Sequence, residues 1–261
     1  MTERPISLVT GSAGAIGNAI AEGLARSGHR VIVVCRQAAQ AERVAREIAE
    51  RTGNPDLVAE AADLGRRSEI RALAARLPPH LDVLVNNAAT APRRRELTAE
   101  GIEVQLATNI LGYFWMIREL EARLVSSAPS RVVNVASYWA GGLDLDDLGF
   151  ERRAYDNDSA YRQSKQADRM LSAACAARLA PSGVSVNACH PGDVASKLSR
   201  SLGFGGHETA EDAAETPLWL ALEDAGMQAS GRYFEHMRET PCRFCADRDA
   251  VEALYRACER F

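Results

Sequence analysis

Long apolar segments and a strong excess of one charge are both missing from this 261-residue sequence. The longest charge-free stretch near its start, Leu8 to Ala21, contains three glycines and is too short and too polar to span a bilayer. The first residues, MTERPISLVT, lack a basic segment followed by an apolar one, so no secretory signal is predicted. The formal net charge of −4 does not favour nucleic acid or anionic membrane. We therefore expect a cytoplasmic protein with neither kind of partner.

Cysteine is sparse, and only Cys242 and Cys245 have the CxxC spacing. In a chain without a predicted secretory signal, all six cysteines are expected to be reduced thiols. The alternative is a zinc knuckle formed by this pair with Cys258 and His236, but the second CxxC pair that would favour it is missing. We predict no metal site.

Lysine is the rarest charged residue, because only Lys165 and Lys197 are lysine among 31 basic residues. A site that needs a compact ammonium group cannot use arginine instead. Tyr161 lies four residues before Lys165, on the same face of a predicted helix. A neighbouring ammonium lowers the pKa of a phenol from its reference value of about 10. This pair is therefore a candidate for acid–base catalysis near neutral pH.

Short apolar runs alternate with helical patterns along the chain, and no linker or repeat divides it. Strands are predicted at residues 6–9, 30–35, 57–62, 81–85, 131–136 and 184–189, and helices at 18–27, 38–51, 68–77, 98–126 and 159–180. Such alternation indicates βαβ units and a parallel sheet. We predict one doubly wound α/β domain, with a parallel sheet of about seven strands and helices on both faces.

A dinucleotide site is predicted where the first two strands end. Gly11, Gly14 and Gly17 follow the first strand, where glycine lets the backbone approach a pyrophosphate at a helix N-terminus. The alternative is a glycine-rich turn without a ligand. Arg36 follows the second strand, and no acidic residue comes before Glu42. A basic residue there pairs with a 2′-phosphate, so the cofactor is predicted to be NADP(H). An exposed arginine without a ligand is the alternative.

The order and spacing of several motifs resemble the short-chain dehydrogenase/reductase family over nearly the whole chain. These motifs are TGSAGAIG (10–17), Asp63-Leu64, NNAA (86–89), Asn109, NVAS ending in Ser137, YRQSK (161–165) and HPGDVAS (190–196). VVCR, at residues 33–36, and the ending that starts with YFEHMRETPCRFCADRD resemble the retinol-dehydrogenase-like branch. The resemblance implies one Rossmann-type domain over residues 1–261, with 1–135 mainly binding the cofactor and 136–261 carrying the catalytic residues.

The resemblance also implies hydride transfer between NADP(H) and a carbonyl or secondary alcohol. Tyr161 would exchange the proton and Lys165 would lower its pKa and hold the nicotinamide ribose. Ser137 would orient the substrate oxygen, and Asn109 would hold a water. The implied cofactor contacts are Gly11, Ser12, Ala13, Gly14, Ala15, Ile16, Gly17, Arg36, Asp63, Leu64, Asn87, Tyr161, Lys165, Pro191, Gly192, Val194 and Ser196.

Three residues depart from the family pattern. Ala15 and Ala89 replace glycines, and Ser196 replaces a threonine that reaches the carboxamide. The position of Gly14 matches longer members, so an enzyme like a nucleotide-sugar epimerase is one alternative. It is opposed by the 70 residues after Pro191, which are too few for the substrate domain of those members. A non-catalytic NADP-sensing protein is the other alternative, opposed by the presence of all four catalytic residue types.

The predicted substrate is a mainly hydrophobic small molecule. Tyr138 and Trp139 are candidates to line an aromatic pocket, and Asp193 to contact a polar group. The family resemblance implies a substrate lid near residues 197–210, and in this sequence Gly203, Gly205 and Gly206 free the backbone there while Leu198, Leu202 and Phe204 give an apolar side. A plain surface loop is the alternative. His190 is interpreted as a packing residue and Arg93–Arg95 as a solvated face, with a mouth for anionic substrates as the alternative. The oligomeric state is left open, a homodimer being one option.

Overall fold

The computed structural model describes residues 4–261, and its centre is a single eight-stranded sheet. The strands are β1 (Ile6–Thr10), β2 (Arg30–Cys35), β3 (Leu57–Ala61), β4 (Val83–Asn86), β5 (Ser130–Val135), β6 (Val184–Cys189), β7 (Tyr233–Glu235) and β8 (Arg238–Glu239). Their order is β3-β2-β1-β4-β5-β6-β7-β8, and only the β7–β8 pair is antiparallel. The predicted doubly wound α/β fold is confirmed. The additional edge strand is two residues long, too short to leave a pattern in the sequence.

Helices cover both faces of this sheet. They are α1 (Ala15–Arg26), α2 (Ala38–Thr52), α3 (Arg67–Arg76), α4 (Gly112–Ser126), α5 (Asn157–Leu179), α6 (Lys197–Ser201), α7 (Ala210–Leu222), α8 (Asp224–Gln228), α9 (Arg243–Ala246) and α10 (Arg248–Glu259). A π-helical turn, Leu106–Leu111, precedes α4. The helix predicted from residue 98 was wrong at its start. Gly101 has φ +80° there, and Leu97 pairs with Glu103 in a β-bridge, so these residues form a turn.

The alternation of side chains along each strand divides the core into two layers. Leu8, Leu84 and Val132 pack on the face covered by α3, α4, α5 and α10. Val9 and Val85 pack on the opposite face, under α1, α2 and α7. Because both faces are covered, the strands are apolar along their whole length, as the sequence indicated. The carboxyl ends of the parallel strands therefore meet at one edge of the sheet, where ligands bind in open α/β folds.

The sulfur atoms of Cys242 and Cys245 form a disulfide, with Cα atoms 5.4 Å apart. The expectation that all cysteines are reduced was therefore wrong for this pair, because the CxxC spacing at the start of α9 brings both sulfurs together. Cys35, Cys175, Cys189 and Cys258 are buried free thiols. Among residues 4–261 no group of three or more His, Cys, Asp or Glu side chains is placed to hold a metal ion, so the structure does not support the zinc knuckle. No helix within residues 4–261 is long and apolar enough to cross a membrane.

Candidate active site

The loop between β1 and α1 packs against the segment that follows β4. Gly11 has φ +67°, and a Cβ added there would lie 2.8 Å from the Ala88 Cα. A Cβ added at Gly17 would lie 2.5 Å from the Asn87 side-chain nitrogen. These two glycines are therefore required by packing. Gly14 differs, because a Cβ there would meet only the Gly11 carbonyl oxygen, at 3.3 Å, so the outer side of the loop is open.

Gly14 is also the N-cap of α1, and no side chain caps this helix. The N–H groups of the first helical turn are therefore free to bind a pyrophosphate, and the positive end of the helix dipole favours the anion. The neighbouring Ser12 side chain cannot take part. Its hydroxyl is fully buried and donates a hydrogen bond to the Val9 carbonyl oxygen at 2.7 Å. The Ser12 backbone N–H is engaged as well, since it donates to the Val34 carbonyl oxygen at 3.3 Å.

Thr10 joins the ends of β1 and β4, a role that sequence analysis missed. Its hydroxyl accepts hydrogen bonds from the backbone N–H groups of Asn87 and Ala88, at 2.8 and 3.1 Å. The Asn87 amide nitrogen donates to the Thr10 carbonyl oxygen at 2.9 Å. Thr10 and Asn87 therefore fix the glycine loop against the NNAA segment. Thr10 begins the TGSAGAIG motif, which was the available signal.

Arg36, at the end of β2, is exposed and forms no ion pair with any residue that the structure describes. Arg43 of α2 lines a cleft with Ala13 and Gly14 and pairs with Glu47 at 2.9 Å. Arg43 was not predicted as a site residue, although it lies seven residues after Arg36 in the sequence. Glu22, Glu47 and Glu211 line the same cleft, so Arg43 lies there beside three carboxylates.

Asp63 and Leu64 lie at the end of β3, on the same edge of the sheet. The Asp63 carboxylate accepts a hydrogen bond from the Gly65 N–H at 3.0 Å, which fixes its direction. Leu64 is buried in the core.

Three of the predicted catalytic side chains line one cavity at this edge. Ser137 follows β5, and Tyr161 and Lys165 come from successive turns of α5. The cavity is also lined by predicted cofactor contacts after β6, namely Pro191, Gly192, Val194 and Ser196, and by Ile16 and Asn87 of the first half. Leu198 and Phe204 of the predicted lid complete it. The fold thus brings residues from both halves of the chain to one space.

Asn109 lies inside the π-helical turn, not among the residues that line the cavity. Its side-chain oxygen accepts from the Thr90 N–H at 2.9 Å, and its amide donates to the Thr90 carbonyl oxygen at 3.0 Å and to the Ser164 hydroxyl at 3.2 Å. This side chain therefore joins the loop after β4 to α5, behind Tyr161. π-Turns break the regular helical hydrogen-bond ladder and are frequent at functional sites.

Lys165 is almost completely buried, and its ammonium has two partners. It donates to the Val135 carbonyl oxygen at 2.9 Å and to the Asp168 carboxylate at 2.8 Å. Burial alone would lower the pKa of Lys165, but the Asp168 carboxylate and the phenols of Tyr113 and Tyr161 raise it overall. Burial raises the pKa of Asp168 to about 6, since Lys165 offsets only part of the desolvation. At neutral pH the pair is therefore ionised.

The phenol of Tyr161 is 8% exposed. Burial raises its pKa above the usual 10, and the nearby Lys165 ammonium and Ser137 hydroxyl lower it by less than burial raises it. The predicted direction of the Lys165 effect holds, but the net shift in the cofactor-free molecule is upward. Tyr161 is therefore a protonated phenol at neutral pH, which is the form that donates a proton.

Arg169, on the same helix, holds the backbone at Ser137. Its guanidinium donates two hydrogen bonds to the Ser137 carbonyl oxygen, one of them at 3.1 Å, and a third to the Tyr233 hydroxyl at 2.8 Å. It also stacks on the Tyr233 ring at 3.5 Å. Sequence analysis missed both Asp168 and Arg169. Their positions three and four residues after Lys165 place them on the same face of α5, which was the available signal.

The predicted lid is attached at both ends. Ser196 caps α6 through a capping box with Ser199. The N–H groups of His207 and Glu208 donate to the Asp193 carbonyl oxygen at 2.9 and 3.0 Å. Between these ends, the Phe204 ring stacks on Trp139 with centroids 5.4 Å apart. The segment thus covers the cavity through an aromatic pair.

The lid glycines have different roles. Gly203 has φ +84°, in the left-handed region that glycine adopts more readily than other residues. A Cβ at Gly206 would collide with the backbone of Asp193, Val194 and Ala195, so this glycine is required by close packing. A Cβ added at Gly205 would have no atom of residues 4–261 within 4 Å. Leu202 is partly buried but is not among the residues that line the cavity.

Tyr138 lies at the rim of the site, with 47% of its surface exposed, and does not line the cavity. Its hydroxyl donates to the Asp193 carboxylate at 3.1 Å, and its ring packs edge-on against His190 with centroids 4.7 Å apart. His190 is 6% exposed and lines the cavity as well as packing, which its interpretation as a packing residue did not foresee. Its Nδ1 atom has no partner among residues 4–261, and burial lowers its pKa.

Arg93, Arg94 and Arg95 are exposed, as expected of a solvated face. Arg95 donates to the Gly149 carbonyl oxygen at 2.9 Å.

Comparisons with known proteins place this chain in a family. The family model described as short chain dehydrogenase matches residues 5–204. Retinol dehydrogenase 13 of Mus musculus is 34% identical over 95% of this chain and 80% of its own length. Retinol dehydrogenase 11 of Homo sapiens is 35% identical over 88% of this chain and 76% of its own length.

Solved structures agree with this result. The Pseudomonas aeruginosa RhlG/NADP active-site complex is 28% identical with a TM-score of 0.71, covering 92% of this chain and 96% of that one. The 3-ketoacyl-(acyl-carrier-protein) reductase from Brucella melitensis complexed with NADH is 26% identical with a TM-score of 0.68, covering 90% and 97%. These neighbours support a nicotinamide cofactor. The chain therefore belongs to the short-chain dehydrogenase family of oxidoreductases, in its retinol-dehydrogenase-like branch.

Proposed function

We propose that this protein is an NADP(H)-dependent oxidoreductase that transfers a hydride between the nicotinamide and a carbonyl or secondary alcohol. The observation that carries the proposal is that Ser137, Tyr161 and Lys165 line one cavity, in which burial raises the pKa of Tyr161. A protonated phenol beside a hydroxyl can bind and protonate a carbonyl oxygen. The cofactor, when bound, supplies or accepts the hydride.

The residues present fit a dinucleotide. The outer side of the loop at Gly14 is open, and the α1 N-terminus has free N–H groups for a pyrophosphate. Lys165 has three N–H donors, of which Val135 and Asp168 accept two. The third is available to the hydroxyls of the nicotinamide ribose. The cavity that Lys165 and Tyr161 share with Gly192 and Val194 would receive the nicotinamide end.

Within this function each catalytic residue has a separate task. Ser137 donates a hydrogen bond to the substrate oxygen and fixes its position. Tyr161 gives that oxygen a proton in the reductive direction and removes the proton in the oxidative direction. Lys165 holds the ribose and stabilises the phenolate that results. Asn109 keeps the loop after β4 attached to α5 and, by the family resemblance, holds a water on the route from Lys165 to solvent.

NADP(H) is proposed over NAD(H) because of Arg36. Its guanidinium is exposed and unpaired among the described residues, and no acidic residue stands at the end of β2 to repel a 2′-phosphate. The two solved relatives carry different cofactors, NADP and NADH, so the choice depends on the residues of this chain.

The proposed substrate is mainly hydrophobic, with a ring system and one reactive carbonyl. Leu198 and Phe204 line the cavity, and Phe204 is backed by Trp139. Burial of such apolar surface contributes about 25 cal/mol per Å² to binding. The names of the relatives, retinol dehydrogenases, agree with a hydrophobic alcohol or aldehyde.

The test is a panel of carbonyl compounds with NADPH, in which cofactor consumption is followed by absorbance. The panel contains retinaldehyde, aromatic and alicyclic ketones, and small charged ketones such as pyruvate. We expect consumption with the hydrophobic members and none above background with pyruvate. Tyr161→Phe is the matched control, because it removes the hydroxyl and keeps the ring. Tight NADPH binding without consumption of any member would contradict the proposed reaction, and best turnover of pyruvate would contradict the proposed substrate class.

A further inference from the structure

Asp168 of α5 is a buried acid to which the proposed reaction assigns no role. We propose that Asp168 is a positioning residue that offsets the charge of Lys165, keeps the proton on Tyr161, and so favours carbonyl reduction over alcohol oxidation at neutral pH. This inference rests on the proposed function and concerns the same site.

The geometry commits the Asp168 side chain to Lys165. One carboxylate oxygen lies 2.8 Å from the ammonium, and both side chains are almost fully buried. The other oxygen, Oδ1, is buried and has no partner within the described part of the chain. The backbone around Asp168 is fixed as well. The Ser172 hydroxyl donates to the Asp168 carbonyl oxygen at 2.7 Å, and the Asn134 amide of β5 donates to Ser172 at 2.8 Å.

The other titratable groups around this ion pair are neutral at neutral pH. Tyr113 of α4 faces Lys165, with its ring centroid 5.1 Å from the ammonium, and burial raises its pKa. Cys189 of β6 and Cys258 of α10 are buried thiols whose pKa values burial raises. Lys165 is therefore the cation that acts on Asp168.

The same charges also act on the pKa of the buried Tyr161 phenol. Burial raises the pKa of Tyr161 most, the Lys165 ammonium, 5.8 Å from the centre of its ring, and the Ser137 hydroxyl lower it, and the carboxylates of Asp168 and Asp193 raise it further. Removal of the Asp168 charge leaves the ammonium without its counter-charge in a site of low dielectric constant. An uncompensated ammonium stabilises the tyrosinate more strongly than an ion pair does.

The direction of the reaction follows from this balance. Carbonyl reduction needs the phenol, so its rate is lost as the pH rises through the pKa of Tyr161. Alcohol oxidation needs the phenolate, so its rate rises through the same pKa. By offsetting the Lys165 charge, Asp168 adds to the effect of burial on that pKa, and so extends the pH range of reduction and restricts oxidation at neutral pH.

Asp168→Asn tests the proposal, because asparagine keeps the shape and an acceptor oxygen for Lys165 and removes only the charge. We expect the high-pH limb of carbonyl reduction to move down by about one pH unit or more. Alcohol oxidation at pH 7 should rise up to about tenfold, since one unit is a tenfold change in the phenolate fraction. Asp249→Asn, which removes an exposed charge from α10, is the matched control and should shift neither profile.

A second readout does not need turnover. The ultraviolet absorbance of tyrosinate is measured against pH in four proteins without cofactor. These are the wild type, Asp168→Asn, Tyr161→Phe and the double variant with both substitutions. The difference within each background isolates Tyr161. We expect it to titrate above pH 10 in the wild type and at least about one unit lower with Asp168→Asn. A merely structural role for Asp168 would change the melting temperature without moving this titration.

The outcomes are distinguishable. A folded Asp168→Asn protein with an unmoved limb and an unmoved Tyr161 titration would overturn the inference. If the asparagine variant does not fold, the same measurements are made on Asp168→Ala and on the wild type. A wild-type Tyr161 that titrates below pH 8 would also overturn the inference. Absence of turnover in the wild type with every carbonyl would instead contradict the proposed function, and the absorbance titration would still test Asp168.

Discussion

Arg169 offers the clearest connection between the core and catalysis, and Arg169→Met is the change that tests it. Methionine has a similar length but no donors, so the variant leaves the Ser137 carbonyl oxygen without its two hydrogen bonds and the Tyr233 hydroxyl without its partner. The variant also loses the stacking of the guanidinium on the Tyr233 ring. Both stranded groups are buried, so water cannot easily replace the arginine.

The magnitude follows from these contacts. A buried polar group left without a partner costs about 1–3 kcal/mol, and a buried cation–π contact contributes up to about 2 kcal/mol. The loss of stability is partly offset, because the variant no longer has to bury a charged guanidinium and so avoids its desolvation cost. We expect a net loss of about 2–5 kcal/mol in the free energy of unfolding. For a chain of this size that corresponds to a melting temperature lower by about 5–15 °C.

Activity should fall as well, because Ser137 loses the contact that fixes its backbone. We expect kcat for carbonyl reduction to fall at least about tenfold, since small displacements in a catalytic site are costly, while NADPH affinity stays within about twofold. Arg46→Met makes the same substitution at an exposed position of α2 and is the control. Calorimetry and steady-state kinetics below the melting temperature measure the two effects. A variant as stable and as active as the control would refute this account of Arg169.

Three further predictions concern the proposed reaction. Tyr161→Phe should lower carbonyl reduction by about 10²–10⁴, the usual contribution of a general acid, with NADPH binding nearly intact, and retained turnover would locate the chemistry elsewhere. The wild type should bind NADPH at least about tenfold more tightly than NADH, because charge-assisted hydrogen bonds contribute about 1.5–3 kcal/mol. Arg36→Ala should remove most of that difference in affinity. Equal wild-type affinities for NADPH and NADH would contradict the role of Arg36. Phe204→Ala should raise KM for a hydrophobic ketone about tenfold, as expected for loss of an aromatic ring that contacts the substrate, and leave the NADPH dissociation constant unchanged. Amide hydrogen exchange in residues 198–207 as slow as in the sheet would count against a lid.

Local patterns in the sequence were sufficient for the regular elements up to β6 and for the doubly wound class of the fold, but no individual element was predicted after residue 189, where α6 to α10, β7 and β8 lie. The apolar runs of β1, β2, β4, β5 and β6 are continuous because both faces of the sheet are covered, and the structure contains each of them. Local signals failed where a turn interrupts a helical pattern, as at residues 98–103, and where a strand is very short, as in β8. The disulfide at Cys242 and Cys245 was missed because the general expectation for the chain outweighed the local CxxC spacing.

By itself the sequence determined the family, the fold and the candidate catalytic residues, because each depends on motifs whose residues lie close together in the chain or follow successive strands. Only the tertiary structure decided how the environment acts on those residues. Burial raises the pKa of Tyr161, Asp168 balances Lys165, and Arg169 fixes Ser137. Asp168 and Lys165 share α5, but the extent of their desolvation and the distance from Arg169 to the Ser137 backbone depend on separate elements. Neither quantity is encoded in local spacing, since both arise only when β5, β6 and α5 pack together.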